Sequence, residues 1–178
     1  MTGAIPEGGR EVSESFTLKP ISKAAIPRAL EKAERYRLLN DPEQAESICL
    51  DILAIDPGNQ PVLVALILSM TDQFGRLSTR GVRLAREYVG RLTDPYARNY
   101  YEGLVWEREA RACMGRPMAS DFAYDRFRSA MACYERASVL SPADDDEAIL
   151  RWNACVRTIQ GANLRPRGPE VEQEQPLE

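Results

Sequence analysis

The sequence predicts an all-α protein, a short stack of about three helical hairpins closed by a C-terminal capping helix. Two observations carry that expectation. Residues 29–57, ALEKAERYRLLNDPEQAESICLDILAIDP, read as two amphipathic helices joined by a tight turn. Pro27, Pro61 and Pro95 recur at intervals of 34 residues, so most of the chain can be laid over that hairpin as degraded copies. A period of this length marks a helical-repeat architecture.

Residues 1–20 carry Gly, Pro, Ser and Glu without periodicity and are expected to form a flexible arm. From Ile21 the chain turns helical, and Pro27 suits a first turn, where its missing N–H is not needed. Ala29, Leu30, Ala33 and Tyr36 then recur at helical spacing. Asn40, Asp41 and Pro42 close this helix and open the next, which is expected to bury Ala45, Ile48, Cys49, Ile52 and Leu53. The DPGN run at 56–59 ends it.

A third helix, from Pro61 to about residue 73, is apolar on nearly every side, the pattern of a helix sandwiched between neighbours. Its partner spans about 78–92, with Val82, Ala85, Tyr88, Val89 and Leu92 on one face. The third pair is longer. Its first helix covers about 96–114 and turns at 115–117; its second runs to 140 with Ser120 as the expected N-cap. A last helix, about 146–160, opens with three aspartates that suit the positive end of the helix dipole. Residues 161–178 are polar and Pro-rich and are expected to be disordered.

Composition excludes several function classes. The chain of 178 residues has the size of one domain with a sizeable core, and its net charge of −4 argues against a surface built for nucleic acid. Histidine is absent, which removes Ser–His and Cys–His nucleophiles and His-containing metal sites. Cys49, Cys113, Cys133 and Cys155 are far apart without a C-x-x-C pair, so buried thiols in a reducing compartment are expected and a disulfide stays open. No apolar run approaches the roughly 20 residues of a membrane span, and the N-terminus lacks a secretion signal, so a cytoplasmic protein without membrane insertion is the default. There is no glycine-rich phosphate loop and no G-x-S-x-G elbow. No catalytic residue, metal or cofactor is assigned. The carboxylates Asp144, Asp145 and Asp146 are adjacent at a helix start and read as capping rather than as a converging cluster.

In the first copy, Ala33, Tyr36, Ala45 and Pro57 stand at a small, an aromatic, an alanine and a proline position. Gly103 and Trp106, then Ala130, Tyr134, Ala137 and Pro142, repeat parts of that pattern, and Ile149, Trp152, Asn153 and Val156 repeat its first helix. On these residues the chain resembles the tetratricopeptide repeat (TPR) family over residues 21–160. The resemblance implies a short right-handed α-solenoid whose last helix caps the array. Departures are Ala29 for the usual Trp, Cys49 for a common aromatic, and about two extra residues near Phe74 and Gly75. Gly81 and Tyr88 replace usual alanines. About fifteen extra residues in the third copy, shared between its helices, lengthen that hairpin by roughly 10 Å.

TPR proteins bind partners with a concave face lined by the first helix of each pair. The resemblance assigns to it Glu34, Arg37 and Leu38, then Leu68, Thr71 and Asp72, then Tyr100, Leu104, Glu107 and Arg108, and last Leu150, Ala154, Arg157 and Thr158. Its arginines would pair with carboxylates of a protein or peptide partner; as charges that merely solvate a helix face they would have no such role. The family's clamp for a terminal carboxylate is not expected, because Leu30 and Glu34 stand at its positions. Two departures add secondary surface. Arg80, Arg83 and Arg86, with Arg76 and Arg91, form a stripe that is either a solvated face or a dock for an acidic partner or phosphate backbone. The tip of the long hairpin carries Phe122, Tyr124 and Phe127, which cannot all face one side. Either one ring is exposed as a partner or homodimer contact, or the rings bury against residues 1–20. The expected function is a non-catalytic adaptor. The alternative is a small chaperone for a secreted or assembling client, and an enzyme would need a pocket around a strongly perturbed carboxylate such as Glu107.

Overall fold

The computed structural model describes residues 16–75, 79–115 and 122–166, with the side chains of Thr79 and Arg80 outside the description. Most of the expected arm and tail, together with Arg76 and the expected cap Ser120, therefore lie outside the described residues. Among the described residues the chain is helical throughout, without a strand. A 3₁₀ turn, Lys23–Ala25, leads into α1 (Ile26–Leu38), α2 (Pro42–Leu53), α3 (Gln60–Thr71), α4 (Thr79–Val89), α5 (Pro95–Met114), α6 (Ala123–Ser138) and α7 (Glu147–Gly161).

The helix boundaries follow side-chain chemistry. Asp41, Asn59 and Asp94 accept hydrogen bonds from backbone N–H groups in the first turns of α2, α3 and α5, and each of these helices starts with a proline at its first or second position. The 34-residue proline period thus marks the starts of α1, α3 and α5. At the end of α1, Asn40 adopts φ 60°, with Asn40 N donating to Arg37 O and Asp41 N to Tyr36 O. Asn163, at φ 50°, closes α7 with the same pair of bonds. Both are left-handed caps that an asparagine tolerates without a glycine. At α7, among the three expected capping aspartates, Asp145 Oδ1 accepts the Glu147 N–H at 2.9 Å while Asp146 makes no cap bond.

Packing is mainly between successive helices, with additional contacts of α1 with α3 and of α3 with α5. α3 touches α1, α2, α4 and α5, which accounts for its all-round apolar surface. The two extra residues after it are absorbed in a turn that buries Phe74 and returns Gln73 Nε2 to Glu46 Oε2 at 2.6 Å. Adjacent connections are stitched together: Gln60 Oε1 accepts from Thr93 N at 2.8 Å, and Arg91 donates to the Pro57 carbonyl.

The third hairpin is the long one, with 20 residues in α5 against 13 in α1. The seven extra residues add roughly 10 Å at the helical rise, as expected. α5 and α6 approach closely at Gly103, where an added Cβ would stand 2.8 Å from the Tyr134 ring. Apolar side chains gather in two clusters. The first holds α1 to α4 with Val105 of α5; the second joins α5, α6 and α7 around Phe127, Met131 and Tyr134. No helix of the described residues is long and apolar enough to cross a membrane.

Candidate partner-binding face

The first helices of the hairpins, α1, α3 and α5, bring three of the assigned side chains into one ladder. Arg37 Nε lies 2.7 Å from Asp72 Oδ2, and Arg108 Nη1 lies 3.3 Å from Asp72 Oδ1. One carboxylate therefore takes an arginine from the helix before it and another from the helix after it. All three side chains remain partly exposed, between 22% and 35%. A small cleft of about 60 Å³ opens beside Arg37 and is lined also by Glu34, Val64 and Leu68. Leu38 and Leu150 are exposed, as is Arg157. Thr158 accepts from Arg111 at 3.4 Å, and Ala154 is half-buried.

Four assigned residues are not surface groups. Thr71 is buried, with its hydroxyl donating to the Leu68 carbonyl at 2.8 Å. Tyr100 and Leu104 are buried at the α5 interface, and Tyr100 donates to Glu147 Oε1 at 2.7 Å. Glu107 is completely enclosed. That stretch of α5 packs against α6 and also receives side chains of α7, Glu147 at Tyr100 and Arg151 at Glu107.

Glu107 is the centre of a polar network inside the second cluster. Its Oε2 receives the Tyr134 hydroxyl at 2.9 Å and Arg151 Nη2 at 2.7 Å; its Oε1 receives Arg111 Nε at 3.1 Å. Burial, followed by the nearby Glu107 charge, pushes the Tyr134 hydroxyl well above the usual tyrosine range. Burial alone would lower the Arg151 guanidinium, but Glu107 and the bond with Tyr134 outweigh it and hold it up. The carboxylate thus takes donors from α5, α6 and α7, and the arrangement locks the three helices together. The sequence carries one local trace of it, the spacing of Glu107 and Arg111, four apart on one helix. Tyr134 and Arg151 lie 27 and 44 residues away.

The arginine stripe is also corrected. Arg83 pairs with Glu87 on its own helix. Arg86 is not a free surface cation: it lies 3.3 Å from Glu102 and 2.8 Å from Glu109, and its guanidinium stacks 3.7 Å from the Trp106 ring centre. Arg126 of α6 shares Glu109 at 2.8 Å, so this cluster ties α4 to the third hairpin. At the hairpin tip Phe122 is 38% exposed and Tyr124 half-buried, whereas Phe127 is buried in the second cluster.

The four cysteines are free thiols. Burial pushes the Cys49 and Cys155 thiols up to about 12, helped by the nearby Glu46 and Glu107 charges respectively. Such thiols are poor nucleophiles and poor metal ligands at neutral pH. Among the described residues no group of His, Cys, Asp or Glu side chains is arranged to hold a metal ion. Compared with protein-family models, with curated proteins and with solved structures, the chain finds no match in any of the three.

Proposed function

We propose that this chain is a non-catalytic protein-interaction module of TPR-like architecture, which holds a peptide or protein segment along the face of α1, α3, α5 and α7. The observation that carries the reading is the Arg37–Asp72–Arg108 ladder. Each arginine fork uses part of its donor set on Asp72 and keeps further N–H groups for a partner's carboxylates. Leu38 and Leu68 beside them supply apolar contact. Two arginines held at fixed positions by one shared anion lose less side-chain freedom on binding than free ones, which favours selective recognition of an acidic segment.

The test is capture of partners from the native host by the full chain, with contact points mapped by chemical cross-linking. Retention should fall at least tenfold when Arg37, Arg108 and Arg157 are replaced together by Ala, with helicity unchanged. Equal retention of the same partner by that variant, or cross-links confined to other faces, would overturn the proposal.

A further inference from the structure

Among the described residues α7 packs mainly against one helix, α6. Its inward face, Ala148, Arg151 and Cys155, packs into the second cluster. A second stripe, Ile149, Trp152, Val156 and Ile159, lies along the α6–α7 seam with spacings of three, four and three residues. Trp152, Val156 and Ile159 are half-buried against the second cluster and keep part of their surface outside. Two clefts of about 270 and 280 Å³ open there, one on either side of Trp152. The first is floored by Tyr134 and Ile149, the second by Met131, Val156 and Ile159. Trp152 is pinned between them by its indole N–H, which donates to Glu135 Oε1 at 2.9 Å. Ile149 and Leu150 are 46% and 62% exposed.

We infer that this seam is a homodimer interface, in which α7 of a second copy lies antiparallel against α7 and the two α6–α7 pairs form a four-helix bundle. The stripe has the alternating three-and-four spacing of a helix–helix seam. It is also self-complementary when reversed: a two-fold axis between Trp152 and Val156 sets Ile149 against Ile159, and Trp152 against Val156. The bulky Trp152 thus meets the smaller Val156, and isoleucine meets isoleucine, a pairing that close packing accommodates. Charge selects the same arrangement. Asp144 and Asp146 precede α7, Arg157 and Arg165 lie in its last turns and beyond, and none of the four has an ion-pair partner among the described residues. Antiparallel pairing brings the acidic end of one helix beside the basic end of the other and opposes their dipoles favourably. A parallel pairing would stack like on like.

The seam is short, 15 residues or roughly 22 Å of helix, so a reversible dimer is expected rather than an obligate one. Sedimentation of the full chain, from low micromolar to several hundred micromolar, should show the mass rising from one chain to two. Val156→Glu should weaken association at least tenfold with an unchanged far-ultraviolet circular dichroism spectrum. As a second probe away from the packed stripe, Asp146→Arg and Arg165→Asp should each weaken it by roughly two- to fivefold, and the double exchange should restore it. A chain that stays monomeric throughout, or a Val156→Glu variant as dimeric as the native protein, would overturn the inference. Loss of the dimer in Phe122→Ser but not in Val156→Glu would do so too, by moving the interface to the hairpin tip.

Discussion

At residue scale the structure turns on Glu107. A carboxylate without exposure persists in an apolar interior only if its partners replace the water it has lost, and here Tyr134, Arg111 and Arg151 do so. Replacing it with Ala leaves Arg151 beside a cavity with no anion, so Glu107→Ala should lower stability by about 3–5 kcal/mol, read as a lowered urea midpoint. A loss below about 1 kcal/mol would mean that water reaches the site. The resemblance assigned Glu107 with Arg108 to an open face, but its burial depends on partners from α6 and α7, and no local pattern reports a helix arriving from about 40 residues downstream. The buried thiols give a pH signature of their own. Cys49 and Cys155 are held up to about 12 in the fold from an ordinary value of 9.0. Above that ordinary value the unfolded chain releases the protons first, so stability is complete below about pH 9 and falls as pH rises toward 12. The slope is about 1.4 kcal/mol per pH unit for each thiol. Urea midpoints should therefore drop between pH 9 and 11, and less steeply in Cys49→Ala, Cys155→Ala.

At the scale of single elements the sequence was most legible where the chemistry is local. A proline preceded by Asp starts α2 and α5, and Asn59 with Pro61 starts α3; these signals need nothing but neighbouring residues to act. The left-handed Asn40 was likewise visible as a stop between two periodic runs. Asp94 is the strongest of the caps, accepting from both Tyr96 N and Ala97 N. Asp94→Ala should destabilise the protein by about 1–2 kcal/mol, while Asp94→Ser should recover most of it; thermal melts distinguish the two. The arginines of α4 were legible as a stripe but not as a structural device. Spacing groups Arg83 with Arg86, yet their fates differ because Glu102, Glu109 and Trp106 stand on a different helix. A charge stripe fixes which side of a helix is polar and leaves open what opposes it.

At the scale of the whole molecule the two apolar clusters meet along α5, which contributes Val105 to the first and Tyr100 and Ala110 to the second. In a stack where each hairpin touches only its neighbours, cooperativity depends on such junctions. The most concentrated polar link across this one is Arg86, which joins α4 to Glu102, Glu109 and Trp106 of α5 and, through Glu109, to Arg126 of α6. Removing it should cost about 1–3 kcal/mol, the sum of a partly buried ion pair and its ring contact. Because that loss falls at the junction, it should separate the halves rather than weaken both alike. The two tryptophans give the means to see this. Trp106 and Trp152 both pack on the second cluster, whereas circular dichroism reports every helix. In the native chain the two signals should share one urea midpoint. In Arg86→Ala the circular dichroism transition should begin at lower urea than the tryptophan transition, as α1 to α4 unfold ahead of α5 to α7. If both signals still coincide in that variant, apolar packing around Val105 and Tyr101 is enough to couple the clusters, and the arginine bridge contributes stability without contributing cooperativity.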